Sequence, residues 1–562
     1  MFACIGRFTL FGLIISSFTA QAQPAMPNVP KYVAHQVIVA FQPGTAASAV
    51  AEAHRQAGAT PMRSLGAIGA VVVNTGNRSV PAAVAAYQAN PNVRYAEPNY
   101  LRMMIIPDEG ADPNPPTGLG IDYFKEQYGL HSSGQKIYYD EWTGSPGAIA
   151  TTPDADIDAP EAWDLHTGSP LTTVAILDSG VQCTHPDLVG KCIEPSINLG
   201  PSDTPDDVIG HGTLVASVVG ANSDNGIGIA GVSWGTMIAS IKVCYEEYDL
   251  FFGMTGYCDS AASAAGMIHA ANNGYQVVNM SYAGPEGSQA EADAVAYAWG
   301  KGVVLVAAAA NNYSQTPMYP ASFEHVIGVA ATDWFGNLAS FSNFGPTVSM
   351  AAPGAKMFVA FPQEACPVID PEGCYGWADG TSFASPMVAG AAALVSSYIG
   401  PGATSAQVRT ALESGAAASG PLGQNMLAWT QHGSLNLLGA LEAAGGVVEP
   451  PSGSPGVHVG DLDASVVSSG PSWTARVTIY VHDETHASVS GGVVTGEWST
   501  GGTSQCTPTA GQCQVESSPM AKKVGNVDFW INGITVSGSE YLPAANHDPD
   551  GDSDGNGIRV AK

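Results

Sequence analysis

Three short segments hold residues that, brought together, could arm a serine hydroxyl as a nucleophile. Asp178 closes the apolar run Thr173–Leu177 and is followed by Ser179-Gly180. His211 lies in Gly210-His211-Gly212-Thr213, at the head of an Ala/Val-rich stretch. Ser382 lies in Gly380-Thr381-Ser382-Phe383-Ala384-Ser385-Pro386, at the head of another, Met387–Ser397. A serine hydroxyl is a weak nucleophile until a base within hydrogen-bond reach takes its proton, and that base needs a carboxylate to orient it. Taken singly, an Asp-x-Gly after a strand is usually only a turn, and His-Gly-Thr says little more. The longer serine segment and the order Asp, His, Ser carry the reading. A helix beginning at Ser382 would add free backbone N–H groups and a partial positive charge, both suited to a developing oxyanion.

Such residues need a scaffold that brings element ends together. Residues 161–446 alternate short apolar runs (Thr173–Leu177, Met237–Val243, Val277–Met280, Val303–Ala309) with Ala-rich helical stretches (Gly212–Val219, Ser260–Asn272, Gln289–Trp299). This alternation predicts an α/β domain, a mostly parallel sheet sandwiched by helices, whose strand ends open onto a crevice. Residues 23–106 mix β-rich runs (Val37–Phe41, Ala70–Val73) with helical ones (Ala46–Ala57, Pro81–Ala89), predicting a small α+β unit. Residues 107–160, rich in Pro, Gly and Asp, read as a loop-laden lead into the α/β domain, so that this domain is taken as 107–446. The stretch 447–456, with Pro450-Pro451-Ser452-Gly453-Ser454-Pro455-Gly456, is a linker by composition. Beyond it, alternating runs such as Thr474–Val481 and Val527–Val536 predict an immunoglobulin-like β-sandwich over 457–546, followed by an acidic Asp/Gly tail, 547–562.

The whole chain has 562 residues, 45% of them hydrophobic, enough for several cores. Its formal net charge of −30 repels phosphate backbones and anionic headgroups, which argues against nucleic acid or a membrane surface as partner. The imbalance is uneven. Residues 1–106 carry Arg7, Lys31, Arg55, Arg63, Arg78, Arg94 and Arg102 against only Glu52 and Glu97, so a mildly basic leader precedes a strongly acidic body. The two could attract, or the composition could simply drift between domains.

Arg7, the apolar stretch Thr9–Phe18 and Ala20-Gln21-Ala22 read as a signal peptide over 1–22, implying a secreted protein. The apolar run is too short to span a bilayer, and no membrane anchor is expected. After Cys4, eight cysteines fall as near neighbours: Cys183 with Cys192, Cys244 with Cys258, Cys366 with Cys374, Cys506 with Cys513. Eight cysteines permit 105 pairings, of which the sequential one suits this clustering in an exported chain. The Cys244–Cys258 loop, with Tyr245-Glu246-Glu247-Tyr248, could be a solvated loop or touch substrate.

Over residues 161–446 the chain resembles the subtilisin-like serine proteases, the subtilase family, through its Asp178, His211 and Ser382 segments and their order. Residues 30–100, ending Arg94-Tyr95-Ala96-Glu97-Pro98-Asn99-Tyr100, are similar to the family's inhibitory propeptide. The resemblance implies a serine endopeptidase made as a self-processed zymogen, acting on protein or peptide substrates and held by its own propeptide (23–106) as intramolecular inhibitor. It implies Ser382 as nucleophile, His211 as base then acid, and Asp178 as the orienting carboxylate. The run Val303–Ala310 leads to Asn311, which the resemblance makes the oxyanion-hole amide. Ala310 stands where the family usually has Gly, and Met318, in Pro317-Met318-Tyr319-Pro320, where many members have Gly at a pocket floor. Ser281-Tyr282-Ala283 and Ala308-Ala309 are implied as opposing walls of the substrate site.

The implied chemistry needs no cofactor. A structural calcium ion is expected all the same, because Asp187 in His185-Pro186-Asp187-Leu188 and Asn225, Ile227 and Ile229 in Asn225-Gly226-Ile227-Gly228-Ile229 resemble the two halves of the family's site. The Asp548–Gly557 run resembles the start of a calcium loop, but counting from Asp550 puts Ala561 where the closing Glu belongs. A monomer is expected. The rival reading is a catalytically idle binding or adhesion protein that kept the fold. Intact Asp178, His211, Asn311 and Ser382 oppose it.

Overall fold

The computed structural model describes residues 31–104, 123–141, 145–249, 253–363, 374–447, 456–470, 472–483, 488–536, 540–541 and 557–562. The expected signal peptide, most of the linker, Cys366 and most of the Asp/Gly tail lie outside these residues.

A seven-stranded sheet runs in the spatial order Met350–Pro353, Val326–Thr332, Val304–Ala308, Val277–Met280, Thr173–Asp178, Met237–Lys242, Ile197–Asn198. Every neighbouring pair is parallel. Both faces are covered, which is why the strands read as continuous apolar runs rather than alternating ones. In Thr173–Asp178, Val174 and Ile176 join a core with the helices His211–Gly220 and Thr381–Ile399. Ala175 and Leu177 point the other way, against the helices Ser260–Asn272 and Gln289–Gly300. Each fully buried aliphatic side chain of this kind contributes roughly 1.5–3 kcal/mol. From Thr173–Asp178 the chain reaches Met237–Lys242 on one side and Val277–Met280 on the other. Asp178 thus ends a strand beside the point where strand order reverses, the place where open α/β sheets form a crevice.

Thr381–Ile399 is long and apolar enough to cross a membrane, yet it is packed almost wholly inside the protein. Its Pro386 lies within the helix. Proline has no N–H to offer the carbonyl four residues back, so the Ser382 carbonyl loses its helical donor. The buried Ser281 hydroxyl takes that place at 2.9 Å.

The leader is a four-stranded antiparallel sheet (Thr60–Leu65, Ala70–Asn74, Tyr32–Phe41, Val93–Met104) with two helices, Ala47–Ala57 and Val80–Gln88. Alternation sorts its strand residues. Val37 and Val39 face the leader's own helices, while Ile38 and Ala40 join the core with Ser260–Asn272 and Gln289–Gly300. The sheet does not stop at the leader. Val93–Met104 also pairs with Gly253–Asp259, which with Cys244–Asp249 forms a hairpin of the α/β domain, giving six strands in all. The Cys244–Cys258 disulfide closes this hairpin, so the cysteine loop is a paired β-element.

Cys183–Cys192 and Cys506–Cys513 are also joined, in the sequential pairing expected. Cys374 is disulfide-bonded, with Cys366 outside the described residues. After the linker, Gly456–Ser469, Ser472–Asp483 and Gln512–Glu516 form one antiparallel layer. Val493–Trp498, Thr503–Cys506, Asn526–Thr535 and Gly557–Ala561 form the second. Trp473, Val477, Ile479, Phe529 and Val560 share the core between them. Gly557–Ala561 corrects the reading of 547–562 as a tail beyond the sandwich. Ile558 and Val560 are buried with Arg559 exposed between them, the period-2 signature of a strand with one face inward.

Candidate active site

Asp178 and His211 meet as the strand and helix ends dictate. The His211 Nδ1 lies 2.8 Å from Asp178 Oδ1, and neither side chain is exposed. Asp178 Oδ1 also accepts from the Ser179 N–H at 2.8 Å. Burial alone would push the His211 imidazole down, but the Asp178 charge and hydrogen bond, with Asp207 adding to them, carry it above its ordinary value. Asp207, which gave no sequence signal, is a second, half-buried carboxylate here. It accepts from the Ser179 hydroxyl (2.7 Å), the Thr213 N–H (2.8 Å) and the Gly210 N–H (2.8 Å), pinning the first turn of the histidine helix.

That helix approaches the aspartate strand through Gly212. A methyl group built there would stand 1.9 Å from the Gly180 carbonyl oxygen and 3.1 Å from Asp178 Cβ. Asp178 is held by the sheet and Gly180 follows it by two residues, so the helix would have to yield. Gly212→Ala should therefore move the imidazole by an ångström or so and lower kcat/KM by about 100-fold or more. Steady-state assay of purified variant and wild type checks this, and near-normal turnover would show that the close approach is not needed.

Ser382 sits in the first turn of Thr381–Ile399, 4% exposed. The Phe383 and His211 rings lie 6.1 Å apart, which sets the imidazole beside this turn. The third link expected of the triad is not made in the resting arrangement. His211 Nε2 is buried with no hydrogen-bond partner among the described residues, and the Ser382 hydroxyl donates instead to the Ser281 carbonyl at 3.3 Å. The hydroxyl turns about one side-chain torsion among staggered wells, and catalytic hydrogen bonds often tighten only when substrate is bound.

Asn311 follows the strand Val304–Ala308. Its Oδ1 accepts from the Thr381 N–H and hydroxyl, both at 2.9 Å. This fixes the amide with its Nδ2 as the donor end, close to Gly380 and Ser382. Ala310 takes φ +82°, the left-handed region that glycine occupies without cost, so the Ala-for-Gly departure is met by backbone strain rather than by a changed path.

Of the expected substrate walls, Ala308 and Ala309 are buried, and Ala309 donates its N–H to Val329. Tyr282 is fully buried with its hydroxyl on Ser263 at 2.9 Å, so only the backbone of its segment faces the cleft. Met318 is half-buried next to Tyr319, which pairs with Gly284. A buried relay without any signal in the sequence ties the expected wall to Ser382. Ser385 donates to Asn279 Oδ1 (2.7 Å), Asn279 to Ser281 Oγ (3.0 Å), and Ser281 to the Ser382 carbonyl.

The leader's last strand lies in this cleft. Met103 and Ala283 exchange both backbone hydrogen bonds, at 2.9 and 3.1 Å, while Tyr257 flanks Met103 on the other side. The Glu97 carboxylate accepts from Ser288 Oγ and from the N–H groups of Gln289 and Ala290, each at 2.9 Å. Asn99 Oδ1 accepts from the Ala261 N–H at 2.9 Å. Two helices thus receive their missing N-terminal acceptors from the leader. Arg94 pairs with Asp293 at 2.7 Å, and Arg102 with Glu291 in full burial. The basic leader and acidic body do attract, at discrete pairs.

The calcium expectation fails on donor chemistry. Asp187, Asn225 and Ile229 do gather, but the Asp187 carboxylate accepts hydrogen bonds from Asn225 Nδ2 (3.1 Å), the Ile229 N–H (2.8 Å) and the Tyr375 hydroxyl (2.9 Å). The Ile227 N–H turns to Asn225 Oδ1 at 3.2 Å. Calcium needs converging oxygen lone pairs, whereas here N–H and O–H groups fill the space around the carboxylate. The residues as arranged do not fit the ion. Burial pushes the Asp187 carboxyl up to about 6, against the pull of those three bonds.

Comparison with known proteins agrees with this geometry. Residues 171–439 match the subtilase family and residues 19–99 the fervidolysin N-terminal prodomain. The chain is 34% identical over 384 residues to the thermophilic serine proteinase of Bacillus sp. (strain AK1), covering 68% of this chain and 82% of that protein. It is 37% identical over 257 residues to thermitase of Thermoactinomyces vulgaris, covering 46% of this chain and 85% of thermitase. The crystal structure of fervidolysin from Fervidobacterium pennivorans, a keratinolytic enzyme related to subtilisin, shares the fold with a TM-score of 0.57 at 24% identity, over 89% of this chain and 71% of that one. With strand order, helix placement and two matched modules in agreement, the chain belongs to the subtilase family of serine proteases and carries a fervidolysin-type prodomain.

Proposed function

We propose that the chain is a secreted serine endopeptidase, made as a zymogen that processes itself, with Ser382, His211 and Asp178 as its catalytic triad. His211 Nε2 takes the Ser382 proton as the hydroxyl attacks the substrate carbonyl, and Asp178 holds the other ring nitrogen and stabilises the imidazolium. Asn311 Nδ2 and the Ser382 N–H hold the tetrahedral oxyanion, a role worth roughly 100- to 1000-fold in turnover per donor. His211 then gives the proton to the leaving amine, and water, activated by the same imidazole, frees the acyl-enzyme. The observation that carries this reading is the Met103–Ala283 pairing: an extended chain already lies in the cleft on the wall whose Ser281 carbonyl touches the Ser382 hydroxyl. The leader is the first substrate and then the inhibitor, cut close to residue 106. Three closed disulfides and the N-terminal Arg7–Ala22 pattern support export.

The test is active-site labelling with a fluorophosphonate across pH. His211 acts as base only when neutral, and its folded value is raised. Labelling and kcat/KM should therefore climb with pH along one limb centred above the ordinary imidazole value of about 6.5. No label at any pH, or a rate that falls as pH rises from acid to neutral, would overturn the assignment.

A further inference from the structure

Arg102 brings a leader charge into full burial against the α/β domain. It and Glu291 are both 0% exposed and form a direct ion pair. Along the strand, Arg102 and Met104 are buried while Leu101 and Met103 are only half-buried, so Arg102 points into the α/β domain. The pocket is built for length. Gly284 borders it, and a methyl group there would stand 3.1 Å from both Arg102 Cδ and Nη1. Tyr282 and Ser263 lie behind, joined to each other at 2.9 Å. Glu291 Oε1 and Arg102 Nε are buried without a hydrogen-bond partner among the described residues, so the carboxylate still has an acceptor to give.

Glu291 belongs to the α/β domain and stays when the leader leaves. An isolated buried carboxylate is costly, and a guanidinium that reaches it recovers what the leader's arginine supplied. The place of this pocket on a substrate follows from register. A chain whose residue pairs with Ala283 as Met103 does sets the residue two further on opposite Ser281, where the Ser382 hydroxyl waits. Arg102 precedes the residue on Ala283. Its place is therefore the fourth residue before the broken bond, counting the attacked residue as first.

We infer that Glu291 is a specificity-determining residue that selects arginine at the fourth position before the cleaved bond, in a pocket left open by Gly284. This rests on the protease reading above. Arginine is preferred to lysine because its planar fork can meet both carboxylate oxygens, whereas an ammonium meets the site as a point charge.

The test compares kcat/KM of the self-processed enzyme on matched peptides that differ only at that position, carrying Arg, Lys, Met or Glu. Arg should exceed Met by about tenfold or more and Glu should be poorest, since leaving one partner of a buried charge pair unmatched is heavily penalised. Glu291→Gln should shrink the Arg-over-Met ratio severalfold. Gly284→Ala, which crowds the guanidinium, should shrink it too, and it decides the matter should Glu291→Gln not fold. An enzyme that labels with fluorophosphonate but cleaves the Arg and Met peptides equally, or keeps its ratio in both variants, overturns the pocket alone. An enzyme that takes no label overturns the triad and the pocket together.

Discussion

Ser382→Ala is expected to lower peptide hydrolysis by about 10⁵- to 10⁶-fold, the scale seen when the nucleophile of a serine triad is removed. The leader should also remain attached, because the same hydroxyl is proposed to cut the chain that lies against Ala283. Intact-mass and N-terminal analysis of wild type beside the variant reads both effects at once. The methyl that replaces the hydroxymethyl removes only a 3.3 Å bond to the Ser281 carbonyl, so stability should change little. A variant that still matures by itself would place the chemistry elsewhere.

Asp178→Asn should cost about 10⁴-fold in kcat while leaving substrate binding nearly intact. The side chain is isosteric, but its amide can donate to His211 Nδ1 across the same 2.8 Å and so stabilises the tautomer with the proton on Nε2, the atom that must accept one. The variant also removes the largest upward influence on His211, whose remaining burial lowers it. The residual activity should therefore show its pH limb displaced to lower pH. Single-turnover assays on one peptide measure both. A loss under tenfold would mean that Asp178 does not orient the imidazole.

How much of this was legible beforehand depends on how local each cause is. The Asp178, His211 and Ser382 segments are short, and each sits at an element end that apolar periodicity predicts. The parallel sheet follows from the same pattern, as its helix-covered strands Val277–Met280 and Val304–Ala308 attest. Contacts across long separations were legible only as a charge imbalance: Arg102 and Glu291 are 189 residues apart, and nothing near either says that they pair with each other. The calcium motif misled for a different reason. Spacing brings Asp187, Asn225 and Ile229 together but does not say whether an N–H or a carbonyl points inward. Pro386 was visible in the serine segment, yet its effect, an orphaned Ser382 carbonyl adopted by Ser281, required the fold. Composition hid the strand Gly557–Ala561 behind the Asp- and Gly-rich run Asp548–Asn556.

The six-stranded sheet that straddles leader and α/β domain would carry a cost on the proposed ripening. If Leu101–Met104 is released as proposed, the rim formed by Gly256–Asp259 loses that ladder and exposes bare amides and carbonyls beside the Ala283 wall. A slot between two such rims grips any passing slack polypeptide by its main chain, whatever its side chains, including a frayed loop of a sister molecule. Concentrated ripe enzyme should consequently digest itself, and its shelf life should lengthen on dilution.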